Sequence, residues 1–233
     1  MRKLLFTTGS PFARAVRIVL DEIGLDYERQ EEITTPSVAE RAAATPTLQV
    51  PTFWDGDLVL WESATIVEYL MSRYSDRAPV DPPLAGSAYR DGADHWADKL
   101  VMGTIQTFGT AATTISQMKW SGVPIEGNAH LSRSAEKLEH ILGWLEGRIE
   151  TDGEGLVPGV ASAQDVFIAC HVRFVQARPL GIELRLDRFP RLEALLDRLD
   201  RRPSFRANPV WWWEPGIVGY EPDGIPIRKA GAP

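Results

Sequence analysis

Apolar side chains in the first third of the chain follow two alternating periods, which predicts strands alternating with helices. An apolar run at residues 4–6 predicts a short buried strand, and apolar positions then recur at helical spacing over residues 11–22. The elements predicted next are a strand, a short helix, two paired strands and a longer helix, at residues 27–33, 36–44, 52–54, 58–60 and 62–74. This order, βαβαββα, predicts an α/β domain whose first two strands are parallel.

The second part of the chain shows only the helical period. Prolines and glycines without a long apolar repeat predict a linker at residues 77–87, between a first domain at 1–76 and a second at 88–208. In the second domain, Ser162 and Asp165 have the spacing of a capping box at the start of a buried helix. We therefore expect an all-α domain after the linker.

The most informative stretch joins the two paired strands to the following helix. Asp55-Gly56 predicts a tight turn of type I′ between the strands. Val50-Pro51 precedes the first strand, and X-Pro bonds are where cis peptides occur. Glu62-Ser63 lies where the helix begins, and the free backbone N–H groups and the helix dipole favour an anionic ligand group there.

Together these features resemble the glutathione-binding half of a soluble, cytosolic-type glutathione transferase. In that family a cis Val-Pro bond presents backbone groups to the cysteinyl part of glutathione, and an acid-Ser pair holds its γ-glutamyl end. The resemblance implies these roles for Val50, Pro51, Glu62 and Ser63, with Gln49 offering an amide to the glycyl carboxylate. It also implies a thioredoxin-like first domain, an all-α second domain and glutathione as co-substrate.

The turn after the first predicted strand contains the candidate catalytic residue. Ser10-Pro11-Phe12 is similar to the Ser-Pro-Phe of serine-type transferases, so the resemblance implies that Ser10 stabilises the thiolate of glutathione. A free thiol has a pKa near 8.5, and a hydroxyl donor at a helix N-terminus lowers that pKa. Thr7 or Thr8 could take this role instead. Ser10 is also a suitable N-cap, and the two roles are compatible.

A second-substrate pocket is expected between the first-domain turn and the start of a long helix predicted over residues 88–119. The resemblance implies that this pocket takes a small hydrophobic electrophile. The residues predicted to line it are aromatic, apolar and polar side chains from both places: Phe12, Asp94, His95, Trp96 and Met102. A lone histidine such as His95 is more often a surface or packed residue than a catalyst.

Two alternative functions use the same fold. One is a non-catalytic binding module. Thr45 and Leu48 mildly favour it, because they replace the Asn and Gly that often precede Val-Pro in the family, but Ser10 and Glu62-Ser63 argue against it. The other is a glutathione-dependent isomerase, but such enzymes usually carry Ser-Ser-Cys where this chain has Thr8-Gly9-Ser10. Transfer of glutathione to an electrophile is therefore the preferred hypothesis.

Composition narrows the possible partners. The net charge of the 233-residue chain is −7 and no basic run is present, so nucleic acid and anionic membranes are not expected partners. The single cysteine, Cys170, lies in an apolar run, where we expect an inert core residue, and it fits a reducing cytoplasm. We expect no metal site, no signal peptide and no membrane-spanning segment. The family resemblance implies a homodimer.

The last part of the chain, residues 209–233, does not fit the helical pattern. It contains three adjacent tryptophans, 211–213, and too many glycines and prolines for a helix. Because exposed tryptophans are costly in water, we expect this tail to pack on the body of the protein. The alternative is that it covers the second-substrate pocket or contributes to a dimer contact.

Overall fold

A four-stranded mixed sheet organises the first part of the computed structural model, which describes residues 1–31, 42–77, 83–150, 155–211, 217–220 and 226–228. Its strands are β1 (Arg2–Phe6), β2 (Glu28–Glu31), β3 (Thr52–Asp55) and β4 (Leu58–Trp61), in the order β2-β1-β3-β4. β1 is parallel to β2 and antiparallel to β3, and β3 is antiparallel to β4. The predicted parallel pair of β1 and β2 is therefore confirmed.

Two helices pack with this sheet, α1 (Pro11–Glu22) and α2 (Ser63–Tyr74). α1 begins where expected because Ser10 caps it and Pro11 occupies its first turn. Nearly all of its residues are buried, which places it between the sheet and the second part of the chain. The helix predicted over residues 36–44 lies mostly outside the described residues, as does the end of the strand predicted over 27–33.

The turn between β3 and β4 differs from the prediction. Asp55 pairs with Leu58, so Gly56 and Asp57 are the turn residues. Gly56 has a φ of +60°, whereas the φ of Asp57 is not positive. A type I′ turn requires positive φ at both positions, so the predicted turn type was wrong although the hairpin itself is present.

The second part is helical, with α3 (His95–Trp120), α4 (Ala129–Glu146), α5 (Ala163–Gln176), α6 (Pro190–Asp200) and α7 (Pro203–Ala207). α5 is the central helix, and it is almost entirely buried. The predicted capping box at its start is confirmed, because the Ser162 hydroxyl accepts from the Asp165 N–H and the Asp165 carboxylate accepts from the Ser162 N–H at 2.8 Å. Burial raises the pKa of Asp165 to about 6, against the opposing effect of these hydrogen bonds.

The long helix α3 begins later than predicted. The sequence indicated a start at Ala88, whereas the helix starts at His95 after a short 3₁₀ turn at Gly92–Asp94. Gly92 has a φ of +69°, which is incompatible with α-helix, and the Arg90 N–H donates to the Asp98 carboxylate at 2.8 Å instead of to a preceding carbonyl. The apolar period of the sequence continues through this break, which explains the error.

Buried polar contacts fasten the end of the helical part to α1. Glu22, fully buried at the end of α1, accepts from Arg202 at 2.6 Å and also from Ser204. Asn208 donates to Asp21 at 2.6 Å, and its carbonyl accepts from Arg14 at 2.7 Å. The segment at residues 202–208 is therefore tied along the length of the helix that begins at Ser10.

Beyond residue 211 the structure describes two strands, β5 (Ile217–Tyr220) and β6 (Pro226–Arg228), which pair antiparallel. This strand pair was not predicted from the sequence. The predicted packing of Trp212 and Trp213 lies outside the described residues. Within the described ranges, no helix combines the length and apolar character that crossing a bilayer requires.

Candidate active site

A cavity of about 610 Å³ lies between the sheet domain and the helical domain. Three short segments of the first domain form one side of it, at residues 7–12, 47–51 and 62–64. α3 and the end of α5 form the other side. We call these the sheet-domain side and the helical side of the cavity.

Ser10 lies at the N-terminus of α1, on the sheet-domain side. Its Oγ accepts from the Ala13 N–H at 3.3 Å, as expected of an N-cap. A hydroxyl has one proton to donate and two lone pairs, so this capping bond leaves its O–H available as a donor to a group in the cavity. Thr7 also lines the cavity, whereas Thr8 is buried and is not among the lining residues.

The segment before β3 presents backbone to the cavity. The Val50-Pro51 peptide is cis, as predicted, and both residues line the cavity together with Gln49. Two positions upstream, Leu48 has a φ of +57°, a left-handed conformation that glycine would adopt without strain. This explains why glycine often occupies the corresponding position in the family pattern.

Thr45 stabilises the turn at residues 45–48, just before Val50-Pro51. It is buried, its hydroxyl accepts from the Thr47 N–H at 3.2 Å, and its carbonyl accepts from the Leu48 N–H at 3.4 Å. The substitution of Asn by Thr at this position therefore keeps a side chain that organises the turn. The departure from the family pattern does not remove the structural role.

Glu62 and Ser63 form the third part of the sheet-domain side, and both line the cavity. Glu62 precedes α2 with a φ of +65° and makes no side-chain capping bond. Apart from glycines, Leu48 and Glu62 are the residues with positive φ in the described part of the chain. Unfavourable backbone conformations concentrate at ligand sites, so their joint presence here makes this cavity the candidate functional site.

The helical side consists of one face of α3 with Phe174 and Arg178, which come from α5 and the residues just after it. Phe12, at the start of α1, lines the cavity as predicted, on the sheet-domain side. The α3 residues are polar except for a tryptophan at the end of the helix: Gln106, Thr110, Thr113, Thr114, Ser116, Gln117 and Trp120. Their spacing on the helix is visible in the sequence, but the pocket residues predicted from this helix all lie at or before Met102.

Four of the predicted pocket residues do not line the cavity. Asp94 forms an exposed ion pair with Arg90, and His95 lies near the Arg90 carbonyl at 3.3 Å. Trp96 is 71% exposed on the outside of α3, and Met102 is buried in the core. The structure therefore does not bring these four residues to Ser10, because α3 turns its cavity-facing surface inward only from Gln106 onward.

Arg178 connects the turn at Ser10 to the helical domain. Its Nη2 donates to the Gly9 carbonyl at 2.8 Å and to the Trp211 carbonyl at 2.9 Å. The guanidinium also lies over the Phe174 ring, 3.8 Å from its centroid. It therefore holds the backbone next to Ser10, a role that no sequence motif indicated.

A buried histidine stands behind Phe12. His171 on α5 packs its ring edge-on to Phe12, with centroids 4.7 Å apart. Its two ring nitrogens have no hydrogen-bond partner among the described residues, and burial lowers its pKa to about 3. A methyl group at Gly109 would lie 2.5 Å from this ring, so glycine is required there.

Other groups with chemical potential lie away from the cavity. Cys170 is fully buried, and burial raises the pKa of its thiol to about 11, as expected of an inert core cysteine. Within the ranges that the structure describes, no group of three or more His, Cys, Asp or Glu side chains is placed to hold a metal ion.

The fold and the cavity define a two-domain protein with a thioredoxin-like first domain and a helical second domain. Comparison with known families agrees: residues 4–78 match the N-terminal domain of glutathione S-transferases, and residues 128–198 match their C-terminal domain. The chain belongs to the glutathione S-transferase family. The family resemblance and the predicted combination of a thioredoxin-like domain with a helical domain are confirmed.

Relatives in this family are distant. The chain is 27% identical over 215 residues to the glutathione S-transferase-like protein tpcF of Aspergillus fumigatus, covering 88% of this chain and 93% of that protein. It is 25% identical over 248 residues to dichloromethane dehalogenase of Methylophilus leisingeri, covering 97% and 85% of the two chains.

A solved structure shows the same fold. The glutathione S-transferase of Methylobacterium radiotolerans, in complex with glutathione sulfonate, superimposes with a TM-score of 0.74 at 24% identity. The match covers 91% of this chain and 96% of that one. At this identity the likeness supports the architecture and does not by itself assign a substrate.

Proposed function

We propose that this protein is a glutathione transferase that joins the thiolate of glutathione to an electrophile. The observation that carries the proposal is that one cavity is lined by the Ser10 hydroxyl, the cis Val50-Pro51 segment and the Glu62-Ser63 helix start. The family pattern assigns the sulfur of glutathione to Ser10, its cysteinyl part to Val50-Pro51 and its γ-glutamyl end to Glu62-Ser63, so their presence in one cavity supports the proposal. Relatives with glutathione or its sulfonate bound support the choice of co-substrate.

In this proposal glutathione lies along the sheet-domain side. Its γ-glutamyl end binds at the start of α2, where Glu62 meets the amino group and backbone N–H groups meet the carboxylate. The backbone of Val50 pairs with the cysteinyl part, and the Gln49 amide meets the glycyl carboxylate. The sulfur then lies near Ser10.

Ser10 acts on the ionisation of the thiol and is not itself the nucleophile. Its O–H donates to the sulfur, and the N-terminus of α1 adds a positive potential, so the anionic form is favoured. The thiol proton passes to solvent. The thiolate then forms a bond to an electrophilic carbon, and the electron pair of the breaking bond departs with the leaving group.

The test is a glutathione titration by calorimetry with an ultraviolet scan for bound thiolate. The parent protein should bind glutathione and show the thiolate absorbance at neutral pH. Ser10→Ala should lose that absorbance and about 100-fold in kcat, as removal of one donor to a developing anion typically does, while glutathione affinity changes little. Thr7→Ala is the matched variant, because Thr7 lines the same cavity.

Other outcomes select other functions. An unchanged thiolate absorbance in Ser10→Ala with loss in Thr7→Ala would transfer the role to Thr7. Binding of glutathione by the parent without a thiolate band would favour a binding module or an isomerase. No binding at millimolar glutathione would contradict the proposed function.

We also infer a homodimer, in keeping with the family. α3 exposes two large apolar side chains on its outer surface, Trp96 at 71% and Leu100 at 67%. Exposed apolar side chains that lie close together are typical of protein contacts. Light scattering should give twice the chain mass, and Trp96→Glu with Leu100→Glu should shift it toward the monomer.

A further inference from the structure

The helical side of the cavity is unusually rich in hydrogen-bonding side chains for a site that takes a hydrophobic compound. Thr110, Thr114 and Gln117 lie within two turns of one another on α3 and all line the cavity. A pocket for apolar ligands is expected to be lined mainly by apolar and aromatic side chains with few polar groups. The polar face therefore requires an explanation.

The fold does not use these polar groups. The side chains of Thr110, Thr114 and Gln117 make no hydrogen bond to the described residues, although helical threonines commonly donate to their own backbone. Thr104 and Thr107, which do not line the cavity, donate to helix carbonyls four residues earlier at 2.8 and 2.9 Å. Thr113 also lines the cavity, but its hydroxyl donates to the Gly109 carbonyl at 2.9 Å, so Thr110 and Thr114 are the cavity-lining threonines of α3 whose hydroxyls remain available.

Aromatic rings complete the chamber around this polar face. Phe12 and Phe174 also line the cavity, and Trp120 lines it at the end of α3. Phe12 is held in place from behind by the edge contact with His171. Aromatic faces of this kind stack well on a flat ring.

We propose that the second substrate is an aromatic electrophile that carries an oxygen-bearing substituent, such as an amide, carbonyl or hydroxyl group, bound by Thr110, Thr114 and Gln117. This inference rests on the proposed function, because it names the substrate class of the same site. It replaces the small hydrophobic electrophile expected from the family resemblance. A site built to hydrogen-bond a substrate group disfavours the analogue that lacks it, since its own polar groups are then left unpaired.

The test uses two glutathione conjugates with the same number of heavy atoms, S-(4-carbamoylbenzyl)glutathione and S-(4-isopropylbenzyl)glutathione, as probes in calorimetry. They share the glutathione and benzyl parts and differ in the distal group, so the ratio of their affinities reports on the helical side. We expect the carbamoyl conjugate to bind about fivefold more tightly or better, the amount that one or two net hydrogen bonds supply. An apolar chamber would reverse the order, because it would favour the additional hydrocarbon.

Isosteric variants assign the effect to α3. Thr110→Val with Thr114→Val removes two hydroxyls without changing side-chain shape, and it should reduce the affinity ratio about threefold or more. Thr107→Val is the matched control on the same helix, since Thr107 is exposed and does not line the cavity. It should leave the ratio as in the parent.

The possible results separate this inference from the function on which it rests. Equal binding of the two conjugates, tighter binding of the isopropyl conjugate, or a ratio unmoved by the two valines would overturn the substrate class and leave the transferase proposal standing. Failure of the parent to bind either conjugate would overturn both. The expected ratio and its loss in the double variant would support both.

Discussion

The two sides of the cavity are constructed differently. The sheet-domain side consists of three short segments within the first 64 residues, each with a local backbone feature: an N-cap at Ser10, a cis bond at Val50-Pro51 and a positive φ at Glu62. The helical side consists of ordinary helical residues, such as Thr110 and Phe174, whose position depends on how α3 and α5 pack. One side is therefore set by local conformation and the other by tertiary contacts.

This difference has a chemical consequence. Glutathione is an invariant co-substrate for a family, so backbone groups held by short motifs suffice to bind it. The electrophile varies between relatives, and side chains on helix faces can change without altering the fold. Distant relatives can thus share the first side while differing in the second.

The largest expected effect is on the free energy of unfolding. It tests whether a buried ion pair holds α1 to the helical domain. Glu22 is fully buried on α1 and binds Arg202 from the helical domain. Glu22→Ala leaves that guanidinium uncompensated and should lower the free energy of unfolding by about 3 kcal/mol or more in chemical denaturation. Glu139→Ala, which breaks an exposed pair with Arg188, is the control and should cost less than about 1 kcal/mol. Similar losses in the two variants would mean that the docking does not depend on Glu22.

A smaller effect concerns the stability of the protein in acid, and it comes from His171 on α5. The folded protein keeps His171 neutral down to a pKa of about 3, while an unfolded histidine takes up a proton below about pH 6.5, so stability falls as the pH drops between these values. Between pH 7 and pH 5 this loss is about 2 kcal/mol, and His171→Phe should remove it. His140→Phe, at an exposed position on α4, should retain the acid dependence of the parent. If stability depends on pH in His171→Phe as it does in the parent, the imidazole of the folded parent has access to water.

The smallest effect concerns the sheet-domain side. Glu62→Ala with Ser63→Ala should weaken glutathione binding about tenfold, or about 1.4 kcal/mol, because the charged and hydroxyl partners at the start of α2 are lost. Calorimetry measures this directly, with Thr65→Ala, an exposed substitution in the same helical turn, as control. If the variant binds glutathione with the affinity of the parent, the γ-glutamyl end does not bind at Glu62 and Ser63.

Much of the sheet domain was predictable because its signals are local. Ser10-Pro11 at a helix start, Val50-Pro51 before a strand and the change of period after Glu62 each restrict the backbone of the residues that carry them. The turn type predicted at Gly56 was wrong because the register of β3 and β4 decides which residues form the turn. The capping box at Ser162 was predictable for the same reason as the other local features, since both partners lie within one helical turn.

The helical side of the cavity was not predictable in this way. Asp94, His95, Trp96 and Met102 were chosen from the beginning of a long helix, but the structure starts that helix at His95 and turns a later face toward Ser10. Arg178 holds the Gly9 carbonyl across 169 residues of chain, and no spacing rule connects them. Nor does any local pattern indicate that His171 supports Phe12.

The sequence by itself indicated the family, through its resemblance to glutathione transferases, and it also gave the described strands and helices of the sheet domain, because their signals act over a few neighbouring positions. The residues expected to meet glutathione stay a prediction. Only the tertiary structure decided which face of α3 lines the cavity, where that helix begins, and which side chains support the turn at Ser10. The physical reason is that a helix repeats the same local geometry on all of its faces. The burial of one face against α4 and α5 leaves another to form the cavity, and burial is a property of the packed chain.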